Sequence, residues 1–429
     1  MARPRRTTRK APRTQPPRGT QARVGPLQGR LSDVPALHLD QVIADVSVRI
    51  LVCCGSGGVG KTTTSAALAV RAAEQGRKVV VLTIDPARRL AQALGLTELD
   101  NVPKPVVGLS TDAGGSLDAM MLDMKRTFDE VVEAHATPQK AEQILANPFY
   151  QALSSSFAGT QEYMAMEKLG QLHAEASRTG RWDLIVVDTP PSRSALDFLD
   201  APERLSSFLD GRLIRLLLAP AKGPARFLSA GMGIVTNAIS KILGGQMLRD
   251  LQTFVAAIDT LFGGFRARAD RTYRVLEDPQ TAFLVLASPD SDALREASFF
   301  VERLAQEKMP LAGLVLNRVT APIAVGLSAQ AALAGAERLD PDDEDFDAAD
   351  GRPARLSATG DGSEVSADVI TAGLLRLHAE RLNQISRERG LRRRFAAAHP
   401  SVPTATIYAL AADVHDLASL REVAELAAA

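Results

Sequence analysis

Cysteine is almost missing from this chain: two residues in 429, and those two adjacent, Cys53 and Cys54. Neighbouring side chains on a strand leave from opposite faces, so an internal disulfide between them is not expected. No Cys-x-x-Cys spacing occurs, which excludes a cysteine zinc clasp. Net charge is missing too. Fifty Lys and Arg balance fifty Asp and Glu, so the molecule as a whole has no electrostatic bias towards nucleic acid or an anionic membrane. Long apolar runs are also lacking: the best candidate, FLSAGMGIVTNAIS at 227–240, carries Asn237 and falls short of the ~20 residues a membrane span needs. No stable membrane insertion and no nucleic-acid partner are therefore expected. The first residues have no apolar core of the kind a secretory signal requires. A reducing, cytoplasmic setting is the reading these absences favour.

What is present is an ordinary globular balance, 45% hydrophobic and 23% charged. The length suits two domains, or one α/β domain with large insertions. Charge is unevenly distributed: residues 1–32 hold nine Arg or Lys and no acid, whereas 337–350 reads ERLDPDDEDFDAAD. The first 46 residues are expected to be a disordered basic tail (the composition also suits an organellar transit peptide), with the folded domain at 47–429. The Asp/Gly/Ser-rich segment at about 336–366 reads as a disordered acidic loop.

Short apolar runs recur along the folded part: Arg49 to Cys54, Lys78 to Asp85, Leu184 to Asp188, Phe283 to Ser288, Leu311 to Val319 and Thr404 to Leu410. Helical spacing fills much of the intervening sequence, for example Lys61 to Gln75 ahead of Gly76. Continuous apolar strands alternating with helices predict an α/β fold: a mostly parallel sheet with helices on both faces. Two stretches, about 124–180 and 195–277, are too long for simple crossovers. They are expected to form an inserted helical subdomain. Met232 and Met247 lie in the second, a composition that suits either an adaptable apolar client surface or a plain helical core.

The first strand runs into Gly55-Ser56-Gly57-Gly58-Val59-Gly60-Lys61-Thr62, which is G-x-x-x-x-G-K-[ST]. Such a loop cradles phosphates on backbone N–H groups, and the following helix adds its positive dipole end. Gly57, Gly58, Val59, Gly60, Lys61, Thr62 and Thr63 are the candidate nucleotide contacts. Lys61 is long enough to reach the β- and γ-phosphates, and the Thr62 hydroxyl suits Mg²⁺. Asp188 closes the strand LIVVD and is placed to hold Mg²⁺ directly or through water. Asp85 ends KVVVLTID, where a carboxylate orients or deprotonates an attacking water; a strand-ending Asp also serves as a helix cap. Lys61, Asp85 and Asp188 are thus the candidate catalytic set, with ATP and Mg²⁺ as cofactors.

With GSGGVGKTTTSAALAVRAAEQGRKVVVLTIDPA, SFAGTQEYMAMEKL, VVDTPPSRSALDFL and LVLNRV in view, the chain resembles the arsenical-pump and tail-anchored-protein-targeting ATPase family, most closely its actinobacterial members. The resemblance covers roughly 47–429 without the acidic loop. It implies a phosphate-loop nucleotidase with the deviant form of the loop, and an Asp85 that activates water. Asp188, Thr189 and Pro191 would form a second switch, and Asn317 would recognise adenine. It also implies a dimer whose two nucleotides face each other, and helical subdomains that move with nucleotide state and can form an apolar client groove.

Three departures stand out. Ser56 occupies the position where the family carries a lysine that crosses to the neighbour's nucleotide. Arg193 and Ser194 replace a usual glycine and histidine. The cysteines that would bind arsenite, or zinc between subunits, are missing, which disfavours arsenite extrusion. From Ser56 three arrangements follow: a heterodimer with a lysine-bearing paralogue, a slow homodimer, or a substitute cation such as Arg193. An ATP-binding regulatory subunit with little turnover and a partitioning-type switch ATPase stay open as other classes. The acidic C-terminus DLASLREVAELAAA supplies neither a membrane helix nor a DNA patch for the last.

Overall fold

The computed structural model describes residues 35–85, 89–110, 112–148, 150–151, 154, 160–190, 267–323, 326–340, 346–347, 352–353 and 366–428. Most of the helical stretch expected at 195–277, most of the acidic loop, Pro86, Pro191, Arg193 and Ser194 lie outside the described residues, as do residues 1–34.

Strands β1 (Ile50–Gly55), β2 (Lys78–Thr83), β3 (Lys104–Pro105), β4 (Ser116–Met121), β5 (Leu184–Asp188), β6 (Thr281–Ala287), β7 (Leu311–Val319) and β8 (Thr404–Tyr408) form one sheet. Its order is β8-β7-β6-β1-β5-β2-β4-β3, and every pairing is parallel except β3 with β4. The expected mostly parallel α/β architecture is what the chain adopts. β1, β5 and β6 are buried at every position, which is why they read as unbroken apolar runs rather than alternating ones.

Helix α2 (Lys61–Glu74) links β1 to β2 in one direction across the sheet; the helix Ser291–Gln306 links β6 to β7 in the other. Right-handed crossovers running in opposite directions put the two helices on opposite faces. The connections step away in opposite directions on either side of β1, so a crevice opens at the carboxyl end of that strand. α2 is rich in alanine, with Ala66, Ala67, Ala69, Ala72 and Ala73 all buried; small side chains let the helix lie close against the sheet. It stops where Gly76 turns left-handed at φ +102°, as its helix-ending position in the sequence predicts.

Two observations revise the expected outline. The tail placed at 1–46 gives way to structure earlier, because Leu39–Ala44 forms a helix (α1) with Leu39 and Ile43 buried in the core. Asp40 of α1 forms an ion pair with Arg71 of α2. The second is β4, SLDAMM, which is absent from the apolar runs because Asp118 interrupts it. That carboxylate is half-buried and satisfied: Trp182 Nε1 donates to it at 2.9 Å and Arg181 at 2.8 Å.

In the 124–180 region the chain forms α3 (Met124–His135), α4 (Pro138–Leu145) and a long helix, Thr160–Thr179. A 32-residue helix, Ala367–Ala398, follows the acidic segment and packs against Ala329–Leu339. Cys53 and Cys54 are both free and wholly buried within β1.

Candidate functional site

β1 delivers the chain to the carboxyl edge of the sheet at Gly55, and α2 carries it away from Lys61. Residues 56–60 turn between them. Gly60 caps α2 at φ +90°, a left-handed conformation that costs glycine little and other residues more. Gly57 and Gly58 are exposed, Val59 is buried, and Thr63 is half-buried on the first turn of the helix.

Lys61 is buried, and its ammonium donates to the Ser56 carbonyl at 2.8 Å. Burial lowers its pKa, opposed by the negative charges of Asp188 and Asp85. One residue on, Thr62 turns inward and its Oγ1 donates to Asp188 Oδ2 at 2.8 Å. Thr83, at the end of β2, donates to the same oxygen at 2.9 Å. The ends of two strands and the first turn of α2 therefore meet at one carboxylate.

Asp188 is fully buried, and its second oxygen, Oδ1, has no hydrogen-bond partner. Burial pushes the carboxyl up to about 6, partly offset by the two threonine hydroxyls and by Lys61. An unpartnered buried carboxylate oxygen beside a hydroxyl is a pair of hard donors. This fits Mg²⁺, which takes one or two protein ligands and fills its remaining positions with water and phosphate. Among the described residues no group of three or more His, Cys, Asp or Glu could hold a metal, so a closed protein cage is not what is built here.

Asp85 lies two residues beyond β2, and its backbone N–H donates to Thr83 Oγ1 at 3.2 Å. Its charge acts on both Lys61 and Asp188, raising the pKa of each. The structure thus brings Lys61, Thr62, Asp85 and Asp188 into one electrostatic neighbourhood. Asn317, on β7, reaches the same loop from the far side: its Nδ2 donates to the Val59 carbonyl at 2.8 Å.

Two members of the site were not among the sequence candidates. Thr83 was read only as strand; the available signal was a lone hydroxyl closing the buried run VVVLT. Ser56 was read for the lysine it replaces, yet its side chain is buried and its Oγ has no partner.

Comparison with known proteins supplies the lineage. The family model for anion-transporting ATPases matches residues 48–324. The chain is 27% identical to ATPase ARSA2 of Chlamydomonas reinhardtii over 301 residues, 69% of this chain and 74% of that one. It is 24% identical to ATPase GET3 of Malassezia globosa over 294 residues, covering 68% and 79%. Against the arsenical pump-driving ATPase of Escherichia coli it is 30% identical over 161 residues, 36% of this chain and 26% of that one. Matched over the phosphate loop, the strands that end at Asp85 and Asp188, and the strand bearing Asn317, the chain belongs to the anion-transporting ATPase family and is an ATPase.

Proposed function

We propose that this ATPase is a Mg²⁺-dependent dimeric switch that couples ATP turnover to movement of its helical region. The observation that carries the reading is the convergence of Thr62 and Thr83 on buried Asp188, beneath a loop whose Lys61 is held inward. In this reading the N–H groups of Gly57 to Thr63 and the Lys61 ammonium bind the phosphates. Thr62 and Asp188 would hold Mg²⁺, which would supply positive charge against the negative phosphate oxygens. Asp85 orients the attacking water and accepts its proton, and Asn317 belongs to the base-side wall of the pocket.

Ser56 supports the finer proposal of a heterodimer. A short, buried, uncharged side chain offers no cation to a neighbouring subunit, whereas a flexible lysine can. A cation supplied in trans can be worth ~10³ or more in rate. This chain would accept a lysine from a paralogue without returning one, and its rate alone would be low. The helical insertions at about 124–180 and 195–277 are proposed to carry an apolar client. Two reduced cysteines and the absence, among the described residues, of any helix long and apolar enough to cross a membrane support a cytoplasmic location.

Single-turnover hydrolysis, with Mg²⁺ and then with EDTA, tests the core of the proposal. Asp85→Asn should bind ATP normally and lose turnover; hydrolysis at the wild-type rate would reduce Asp85 to a cap. Sedimentation with a slowly hydrolysed ATP analogue, with and without a lysine-bearing paralogue, tests the assembly. Full turnover by the isolated chain would remove the need for a partner.

A further inference from the structure

The contact between Asn317 and the loop has a specific geometry. Asn317 is buried, and both ends of its amide are engaged within the protein. Nδ2 donates to the Val59 carbonyl at 2.8 Å, while Oδ1 accepts the Arg318 N–H at 2.9 Å. Arg318 stands at φ +58°, a left-handed conformation unusual for a residue other than glycine. On the other side, a Cβ added to Gly60 would lie 2.3 Å from Asn317 Nδ2. The loop is therefore packed directly on the amide.

A trans peptide points its carbonyl and its N–H in opposite directions. Holding the Val59 carbonyl against Asn317 thus fixes the Gly60 N–H to face away from β7. The strand end is itself anchored. Thr320 donates its N–H at 2.9 Å and its Oγ1 at 2.6 Å to the buried carboxylate of Glu388, on the long helix Ala367–Ala398. Gln384 of the same helix donates to that carboxylate at 3.1 Å.

We propose that Asn317 is a positioning residue for the phosphate loop, fixing the Val59–Gly60 peptide before nucleotide arrives, with Glu388 securing the strand end that carries it. The inference rests on the ATP-site reading for its consequence in binding, though not for the loop order itself. Fixed donors cost no reorganisation when charge is bound, which is where the gain in affinity and rate originates.

The test separates this role from base recognition. Asn317→Ala in the nucleotide-free protein should speed amide exchange in residues 57–62 about tenfold or more, the effect of losing a buried hydrogen bond. Exchange in β6 should stay unchanged. ATP and GTP should weaken by the same factor, leaving their ratio at the wild-type value. Glu388→Gln keeps one of the two oxygens that accept from Thr320 and should show a smaller change in the same segment.

If Asn317→Ala does not fold, Asn317→Ser is the variant to measure, since its short hydroxyl cannot span to Val59. Unchanged loop exchange overturns the proposal, as does a selective loss of ATP over GTP with the loop undisturbed. Should the wild-type protein bind no nucleotide, the ATP reading fails, while faster loop exchange still supports the positioning role.

Discussion

The two ends of β1, β2 and β5 are built on opposite principles. At the amino end Arg77 is buried, and its guanidinium donates five hydrogen bonds: to Asp183 Oδ1, and to the carbonyls of Ile43, Asp45, Val48 and Asp183. Five is the full donor capacity of the group. At the carboxyl end Asp188 Oδ1 and the hydroxyls of Ser56 and Thr64 are buried without partners. One end is satisfied, and the other keeps polar atoms in reserve at a cost in stability. Unsatisfied groups of this kind are expected where a ligand completes the structure.

Breaking the carboxyl end should abolish function with little structural loss. Lys61→Ala is expected to cut turnover by about 10³ or more, because the phosphates lose their principal side-chain cation. Melting temperature should barely move, since Lys61 is desolvated and its removal relieves that burden. Calorimetry and phosphate release on the same sample check both halves. Unchanged ATP affinity and turnover would remove Lys61 from the site.

Breaking the amino end should do the reverse. Arg77→Ala orphans four carbonyls and removes the ion-pair partner of Asp183, and should cost roughly 3 kcal/mol; Asp183 is partly exposed, which holds the figure down. ATP affinity of the folded fraction should be unaltered. Urea denaturation read against nucleotide titration measures the separation, and a large loss of affinity would show the two ends to be coupled.

Asp188→Asn sharpens the contrast through pH. Without nucleotide or divalent metal, folded Asp188 binds its proton near pH 6, and the unfolded chain does so near 3.8. Between those values the native state holds more protons than the unfolded state. This group's contribution is therefore present in full below about pH 4 and lost as pH rises through 6, by roughly 3 kcal/mol at most. The asparagine variant lacks that loss, so it should be the more stable protein at pH 7.5 and gain little at pH 4. It should also lose Mg²⁺-dependent ATP binding. Parallel pH–stability curves for the two proteins would mean that Asp188 is not strained in this way.

The smallest effect is expected from Thr83→Val, which removes one of two donors to Asp188 Oδ2 while preserving strand shape. Turnover should fall severalfold, with ATP affinity nearly kept. A loss as deep as that of Lys61→Ala would give Thr83 a larger role than support.

The sheet was legible wherever both faces are covered, because burial on two sides forces continuous apolar runs such as LIVVD and FLVLA. It was not legible at β4, where Asp118 breaks the run and is satisfied by Trp182, distant in sequence. α1 was hidden by its basic surroundings and by being only six residues long. In the site, Lys61, Thr62, Asp85 and Asp188 announce themselves through local spacing. The Asn317 contact joins residues 258 apart in sequence. Its residue type was visible and its partner was not, since no local pattern records which carbonyl a buried amide meets.

The adjacent cysteines in β1 carry a different consequence. Burial pushes the Cys53 thiol up to about 12 and that of Cys54 higher still. At pH 7 a thiol with such a pKa is ionised in about one molecule in 10⁵, and the thiolate is the reactive form. The strand feeding the phosphate loop is thereby inert to peroxide, disulfide exchange and thiophilic metalloids for as long as the sheet stays closed. Thiol oxidation in this strand would be confined to chains that had already unfolded.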